Sequence, residues 1–363
     1  MIKPYKSGDD LYQRIREPIR RAVPQSIVSD NELKQKAKLV FEINRLAVAK
    51  NATILKHNYM EPVLFYAVDG YCGDSLELSR KAAEANSKII IFCGVHFMAQ
   101  TAKILNPAKK VLIPSDKAGC SLADSITAQD VLDLKEKFPG LPVVTYVNST
   151  AEVKAESDVC CTSGNAQKVV DWALDKFKTK SLIFIPDKYM AQNVARKKNM
   201  EVYVHSKNTA ARSKIDYEKK PWIISFDARC YVHEQYSAKD VGMIRKNYPD
   251  AIILAHPECR PEVVNAADFS GSTSSMTKYV RDNGFNKKIA LLTECSMADN
   301  LCATIPENAS NLIRMCSLHC KHMRTITLEQ LLDSLLANIY EIEIPDKIRE
   351  KAELSVKRMI EIN

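Results

Sequence analysis

The chain has 363 residues, 46% hydrophobic and 26% charged, with a formal net charge of +8. Such a length buries two or three globular units, and this balance excludes a disordered or fibrous chain. No apolar run approaches the roughly 18 residues of a membrane span, and MIKPYKSGDD lacks the apolar core of a secretory signal, so a cytoplasmic protein with no membrane partner is expected. The positive charge is scattered, its densest groups being Lys197-Lys198 and Lys219-Lys220, so no nucleic-acid partner is expected.

The first 28 residues are polar and basic, with three prolines, and read as an extension lying on the main body. A helix start follows at Ser29-Asp30-Asn31-Glu32, where Ser and Glu three apart suit a capping box, and Leu33, Leu39, Val40, Ile43 and Leu46 continue at helical spacing. Short apolar runs then alternate with amphipathic segments: 53–55, 89–92, 111–113, 143–145, 182–185, 222–224, 252–254 and 289–292. These runs suit strands buried on both faces, and segments 74–85 and 165–177 suit helices, which together give a parallel α/β class.

Several runs end in polar groups at His57-Asn58-Tyr59, Tyr146-Val147-Asn148 and His256-Pro257-Glu258. A hydroxyl residue follows each at a helix start (Ser75, Ser163, Thr273), and then a cysteine (Cys120, Cys230, Cys320). This outlines a threefold repeat whose middle unit carries an odd polar insertion, Asn199 to Lys220.

Eleven cysteines without a secretion signal read as buried thiols, metal ligands or catalytic groups rather than a disulfide framework, and no CxxC pair supports a zinc finger. Cys120, Cys230 and Cys320 suit either apolar packing or three corners of a [4Fe–4S] cluster with one open iron. Ser75, Ser163 and Thr273 suit either N-capping or the binding of carboxylate and phosphate groups. His57, His256, Glu258 and Tyr59 are of types that move protons, and also of types that serve as hydrogen-bonded structure.

The stretches ILKHNYMEP (54–62), GDSLELSRKAAE (73–84), AGCSLADS (118–125), VVTYVNSTAEVKAESDVCCTSGNA (143–166), IPDKYM (185–190), CYVHE (230–234), HPEC (256–259), DFSGSTSSM (268–276) and CKHMRTITLEQL (320–331) resemble the quinolinate synthase family in order and content. The resemblance implies three similar αβα domains with short parallel sheets around a pseudo-threefold axis, the active site at the centre. The corresponding division is an extension 1–28, domains 29–120, 121–230 (insertion about 199–220) and 231–320, and a C-terminal helical segment 321–363. It implies condensation of iminoaspartate with dihydroxyacetone phosphate to quinolinate, phosphate and water, using a [4Fe–4S] cluster held by Cys120, Cys230 and Cys320. His57, Tyr59, Ser75, Tyr146, Asn148, Ser163, His256, Glu258 and Thr273 would line the pocket. Glu258 and His256 would transfer protons with Tyr59 and Tyr146 assisting, and aspartate oxidase or aspartate dehydrogenase would supply iminoaspartate.

Two features depart from the family pattern. Phe226-Asp227-Ala228-Arg229 replaces the usual Trp-x-Gly before Cys230, and Cys316, four residues before Cys320, stands where some members carry a CxxCxxC run. Cys160, Cys161, Cys259 and Cys295 are expected to be structural. A different open-cluster hydro-lyase would share the cysteines, and a non-catalytic iron–sulfur sensor would keep them without needing His57, Tyr146, His256 and Glu258.

Overall fold

The computed structural model describes residues 5–207, 215–283, 286–314 and 318–362. All eight apolar runs form strands, because β-branched stretches of this length, apolar on both faces, bury fully only inside a parallel sheet. Three sheets result. The first holds β1 (Ala52–His57), β2 (Tyr71–Gly73), β3 (Ile89–Cys93) and β4 (Lys110–Leu112) in the order β2-β1-β3-β4. The second holds β5 (Val143–Tyr146), β6 (Val159–Cys161), β7 (Leu182–Ile185), β8 (Glu201–His205) and β9 (Trp222–Phe226), ordered β6-β5-β7-β9-β8. The third holds β10 (Ile252–Ala255), β11 (Phe269–Ser270), β12 (Ile289–Leu292) and β13 (Leu312–Ile313), ordered β11-β10-β12-β13.

Every pairing between these strands is parallel. With β8 set aside, the three sheets share one order, in which the second strand of the unit lies outside the first and the third and fourth follow on the other side. The threefold repeat of landmarks is thus a repeat of topology. Helices cover the sheets, as crossover connections between parallel strands require.

Three readings are refined by the fold. The second strand of each unit is two or three residues long and gives no periodic signal. The polar insertion is not featureless: Asn199, at φ 53°, ends the helix Lys188–Lys198, and Glu201–His205 then adds an edge strand beside β9. An edge strand leaves much of its surface in water, so polar residues suffice there, and residues 208–214 of the insertion lie outside the described part.

The N-terminal segment contains a 15-residue helix, Gly8–Ala22, whose Leu11, Ile15 and Ile19 are fully buried. Four-residue spacing places the three on one stripe, and the intervening charges hide it in a composition count. This stripe packs on the helices Asp30–Ala49, Pro62–Ala67 and Ser296–Thr304, so it joins the first unit to the third. Ser29 Oγ accepts the Glu32 N–H as the capping-box reading requires, while the Glu32 carboxylate reaches toward Lys36. At the other end, the helix Asp346–Glu361 ties the first two units together: Arg80 bonds to the Ile360 carbonyl, Asn165 to that of Met359, and Ser355 to that of Lys154.

Replacing a fully buried isoleucine by alanine costs about 2–5 kcal/mol. Ile15→Ala is therefore expected to lower the denaturant midpoint by that equivalent, and an unchanged midpoint would mean the N-terminal helix is not part of the core.

Candidate functional site

The carboxyl ends of parallel strands carry the exposed loops of an α/β fold, and here the ends of all three sheets face one cavity. His57, Tyr59 and Ser75 line it from the first unit, Tyr146, Asn148 and Ser163 from the second, and His256, Glu258 and Thr273 from the third. Cys120, Cys230 and Cys320 line it from the loops that follow β4, β9 and β13. All twelve residues singled out in the sequence therefore share one space.

The three cysteine loops are built alike. Each cysteine carbonyl accepts the N–H four residues on (Asp124, Glu234, Arg324), and a single turn of 3₁₀ helix starts three residues after the cysteine. Seven residues after each cysteine, Thr127, Ser237 or Thr327 opens a helix with a capping box closed by Asp130, Asp240 or Gln330. Burial pushes all three thiols up, Cys120 to about 12, while backbone N–H groups at Ala123, His233 and Met323 oppose the shift by bonding the sulfur. The thiols also lie close enough for their charges to disfavour one another, as Cys120 and Cys320 do to Cys230. A cation in their midst would reverse that penalty and release their protons. Tyr231 fastens the second loop to the third, its hydroxyl accepting the Lys321 N–H at 2.6 Å.

The helix-start hydroxyls are not the caps. Asp74 caps the helix Ser75–Glu84 with a complete capping box, and Ser272 Oγ accepts the Ser275 N–H in the first turn of Thr273–Asn283. Asn165 occupies the cap position of Ala166–Lys176. Ser75, Ser163 and Thr273 thus face the cavity, Thr273 Oγ1 accepting a bond from Asn58 at 2.9 Å.

At the centre Glu258, 3% exposed, gathers donors from several elements. His233 Nδ1 lies 2.6 Å from its Oε2, Asn148 Nδ2 donates to Oε1 at 3.3 Å, and the Tyr146 hydroxyl also bonds to it. Burial works against the charged form, but the facing His233 and these hydrogen bonds outweigh it and hold the carboxyl down at about 2. Burial pushes the phenols of Tyr59 and Tyr146 up, keeping both protonated. It pushes His57 down to about 4 and His256 down to about 3, the latter with help from His233, which stacks on it at 4.4 Å between ring centroids. In each of these two histidines Nδ1 accepts the backbone N–H two residues on, from Tyr59 at 3.2 Å and Glu258 at 3.3 Å, so the neutral ring carries its proton on Nε2.

The structure adds residues the sequence reading passed over. His233 Nε2 lies 3.0 Å from Thr293 Oγ1, and Thr293 Oγ1 lies 2.6 Å from the Tyr59 hydroxyl. An unbroken path of polar atoms therefore runs from Glu258 through His233 and Thr293 to Tyr59. Asp187 and Glu294 occupy equivalent places, two residues after β7 and β12, and each accepts the N–H of a loop cysteine, Cys230 at 3.1 Å and Cys320 at 3.3 Å. The available signal was the repeat Cys-x6-(Ser/Thr)-x2-(Asp/Gln), which places His233 where the other units carry Ala123 and Met323. Cys230 Sγ, a ring nitrogen of His233 and a carboxylate oxygen of Glu258 also lie within 4.8 Å of one another, a mixed donor set within reach of one metal ion. Cys160, Cys161, Cys259 and Cys295 are buried, and Cys316 lies outside the described residues.

These environments make the fold acid-labile. His57 and His256 remain neutral in the folded chain well below the usual 6.5, so the unfolded state takes up protons first and stability falls as pH drops from about 6.5 toward 4 and 3. Glu258, held low, adds a loss in the same direction between about 4.5 and 2. Denaturant midpoints at pH 7.5, 6.0 and 5.0 should fall steadily, with a shallower slope in His256→Asn; parallel slopes would refute the neutral buried ring.

Comparison with known proteins places this architecture. The family model described as "Quinolinate synthetase A protein" matches residues 41–361. The quinolinate synthase of Caulobacter vibrioides (strain NA1000 / CB15N) is 45% identical over 335 residues, 92% of this chain and 84% of the relative. That of Xylella fastidiosa (strain Temecula1 / ATCC 700964) is 45% identical over 89% of this chain and 86% of the relative. That of Agrobacterium fabrum (strain C58 / ATCC 33970) is 43% identical over 357 residues, 98% and 92% of the two chains. With a family match over most of its length, and three equivalent cysteine loops facing one cavity, the chain belongs to the quinolinate synthase family.

Proposed function

We propose that this chain condenses iminoaspartate with dihydroxyacetone phosphate to quinolinate, inorganic phosphate and water, a transferase step of NAD biosynthesis, with a [4Fe–4S] cluster on Cys120, Cys230 and Cys320. The observation that carries the reading is the placement of three thiols from three equivalent loops in the same cavity as the Glu258 network. The donor set fits the cluster: soft sulfur ligands, each with a backbone N–H directed to it, and no fourth thiol among the described lining residues. When bound, the cluster supplies an open iron that acts as a Lewis acid on a substrate oxygen or nitrogen and assists loss of water.

The chain's own groups account for the rest. No lysine or arginine lines the cavity among the described residues, so carboxylate and phosphate groups would be held by Ser75, Ser163, Thr273, Asn148 and the first turns of the adjoining helices. At neutral pH Glu258 is a carboxylate and His57 and His256 are neutral N–H donors, far from the values best suited to acid–base work. An arriving dianion raises all three, which brings Glu258 and His256 toward proton transfer once substrate is bound. The path Glu258–His233–Thr293–Tyr59 then moves a proton across the cavity, from the third unit to the first. Iminoaspartate is unstable in water, so an oxidase or dehydrogenase acting on aspartate would supply it. A chain with this many thiols and no disulfide among the described residues suits a reducing compartment, which supports a cytoplasmic setting.

Anaerobically purified chain should carry about four iron and four sulfide per polypeptide. Cys120→Ala, Cys230→Ala and Cys320→Ala should each lose most of both, and a metal-free parent after reconstitution would refute the cluster. Glu258→Gln should keep the cluster and lose about 100-fold or more in turnover with both substrates; near-full turnover would remove Glu258 from the chemistry.

A further inference from the structure

Lys154 is a cation in an unusual place. It lies in the helix Ala151–Ala155 with 0% exposure, and among the described residues no carboxylate forms an ion pair with it. An isolated buried ammonium costs several kcal/mol, and a methionine would fill the same space without that cost. What the ammonium does is visible in its contacts. Nζ donates to the Val147 carbonyl at 2.9 Å and to the Ser149 carbonyl, the two that flank Asn148. It also lies 5.5 Å from the centroid of the Phe97 ring, which lines the cavity from the first unit. Two of the turn's own bonds close it on the other side, Val147 N–H to the Cys161 carbonyl and Ser149 N–H to the Val147 carbonyl, both 2.8 Å. The same neighbouring helix steadies the next residues, since Gln100 Oε1 accepts the Ala151 N–H at 3.2 Å.

Held this way, the Asn148 amide has one orientation. Its Nδ2 donates to Glu258, so its Oδ1 turns away from that carboxylate, and Oδ1 is buried with no partner in the chain. A buried amide oxygen left unpaired costs about 1–3 kcal/mol and is satisfied by an incoming donor. We propose that Lys154 is the positioning residue for Asn148, gripping the two carbonyls beside it so that Oδ1 accepts a bond from the N–H or O–H that the substrate carries next to a carboxylate. This deepens the quinolinate synthase reading and rests on it. The imine of iminoaspartate is such a donor, as is a hydroxyl on a small dicarboxylic acid. Burial lowers Lys154 to about 8, which leaves it mostly charged at neutral pH and able to hold both carbonyls.

A pair of dicarboxylates that differ by one hydroxyl tests the idea on the full chain. L-malate offers the donor and succinate does not. By calorimetry the parent should bind malate about tenfold more tightly than succinate. Lys154→Met and Asn148→Ala should each bring that ratio to about one to two, with iron content unchanged, and the double variant should be no worse than Asn148→Ala. A parent ratio near one, a ratio preserved in Lys154→Met, or additive losses in the double variant would overturn the proposal. If Lys154→Met does not fold, Lys154→Gln, which keeps a neutral N–H donor group without the charge, is expected at an intermediate ratio, and a parental ratio there counts against the proposal. Turnover is measured separately: a parent that makes no quinolinate overturns the functional reading, while the malate-to-succinate ratio still decides the role of Lys154.

Discussion

The structure turns on one buried carboxylate. Glu258 sits at the end of β10 from the third unit, and its partners come from elsewhere: Tyr146 and Asn148 from the end of β5, and His233 from the loop after Cys230. A charged group that is 3% exposed is tolerable only when its oxygens are fully bonded, so the carboxylate requires these elements to arrive together. Through His233 and Thr293 the requirement extends to Tyr59 at the end of β1. Groups from three sheets that share no strand thereby converge on a single charge.

The same logic shapes the surroundings. Asp187 and Glu294 hold the N–H groups of Cys230 and Cys320 from equivalent places in the second and third units. The first unit carries apolar Val95 at that position and keeps only the backbone bond common to all three loops, His96 N–H to the Ala118 carbonyl at 2.7 Å, matched by Lys188 to Ala228 and Cys295 to Leu318. The pseudo-symmetry is therefore one of backbone and of the cysteines, while the side chains around them have diverged. Divergence at equivalent positions is what allows one unit to supply a carboxylate, another an amide and another a phenol to the same cavity.

The cavity's attraction for anions comes from dipoles rather than from cationic side chains, while the charged groups in its lining are the carboxyls of Asp74, Glu258 and Glu294. The described lining has no lysine or arginine, and the nearby buried ammonium, Lys154, is spent on two backbone carbonyls behind Phe97. Helix N-termini and hydroxyls favour anions without bringing a competing counter-ion, and the bonds made by Asp74 and Ser272 in the first turns free the neighbouring Ser75 and Thr273 for that purpose.

By itself the sequence determined the α/β class, the strands of all eight apolar runs and the threefold outline, because each depends on local composition, while the set of twelve cavity residues came from the family resemblance. A run such as Ile89-Ile90-Ile91-Phe92 buries on both faces wherever it is placed, and motifs such as HPEC carry their family with them. The tertiary structure alone decided the rest. The two- and three-residue strands form only because a neighbour pairs with them, and the edge strand Glu201–His205 has little hydrophobic signal to announce it. The N-terminal helix reveals its core stripe only against the helices it covers. His233 and Thr293 acquire their places from groups 60 and 234 residues away, Thr293 and Tyr59 respectively. A hydrogen bond across such separations is fixed by how the sheets pack, and no local pattern encodes it.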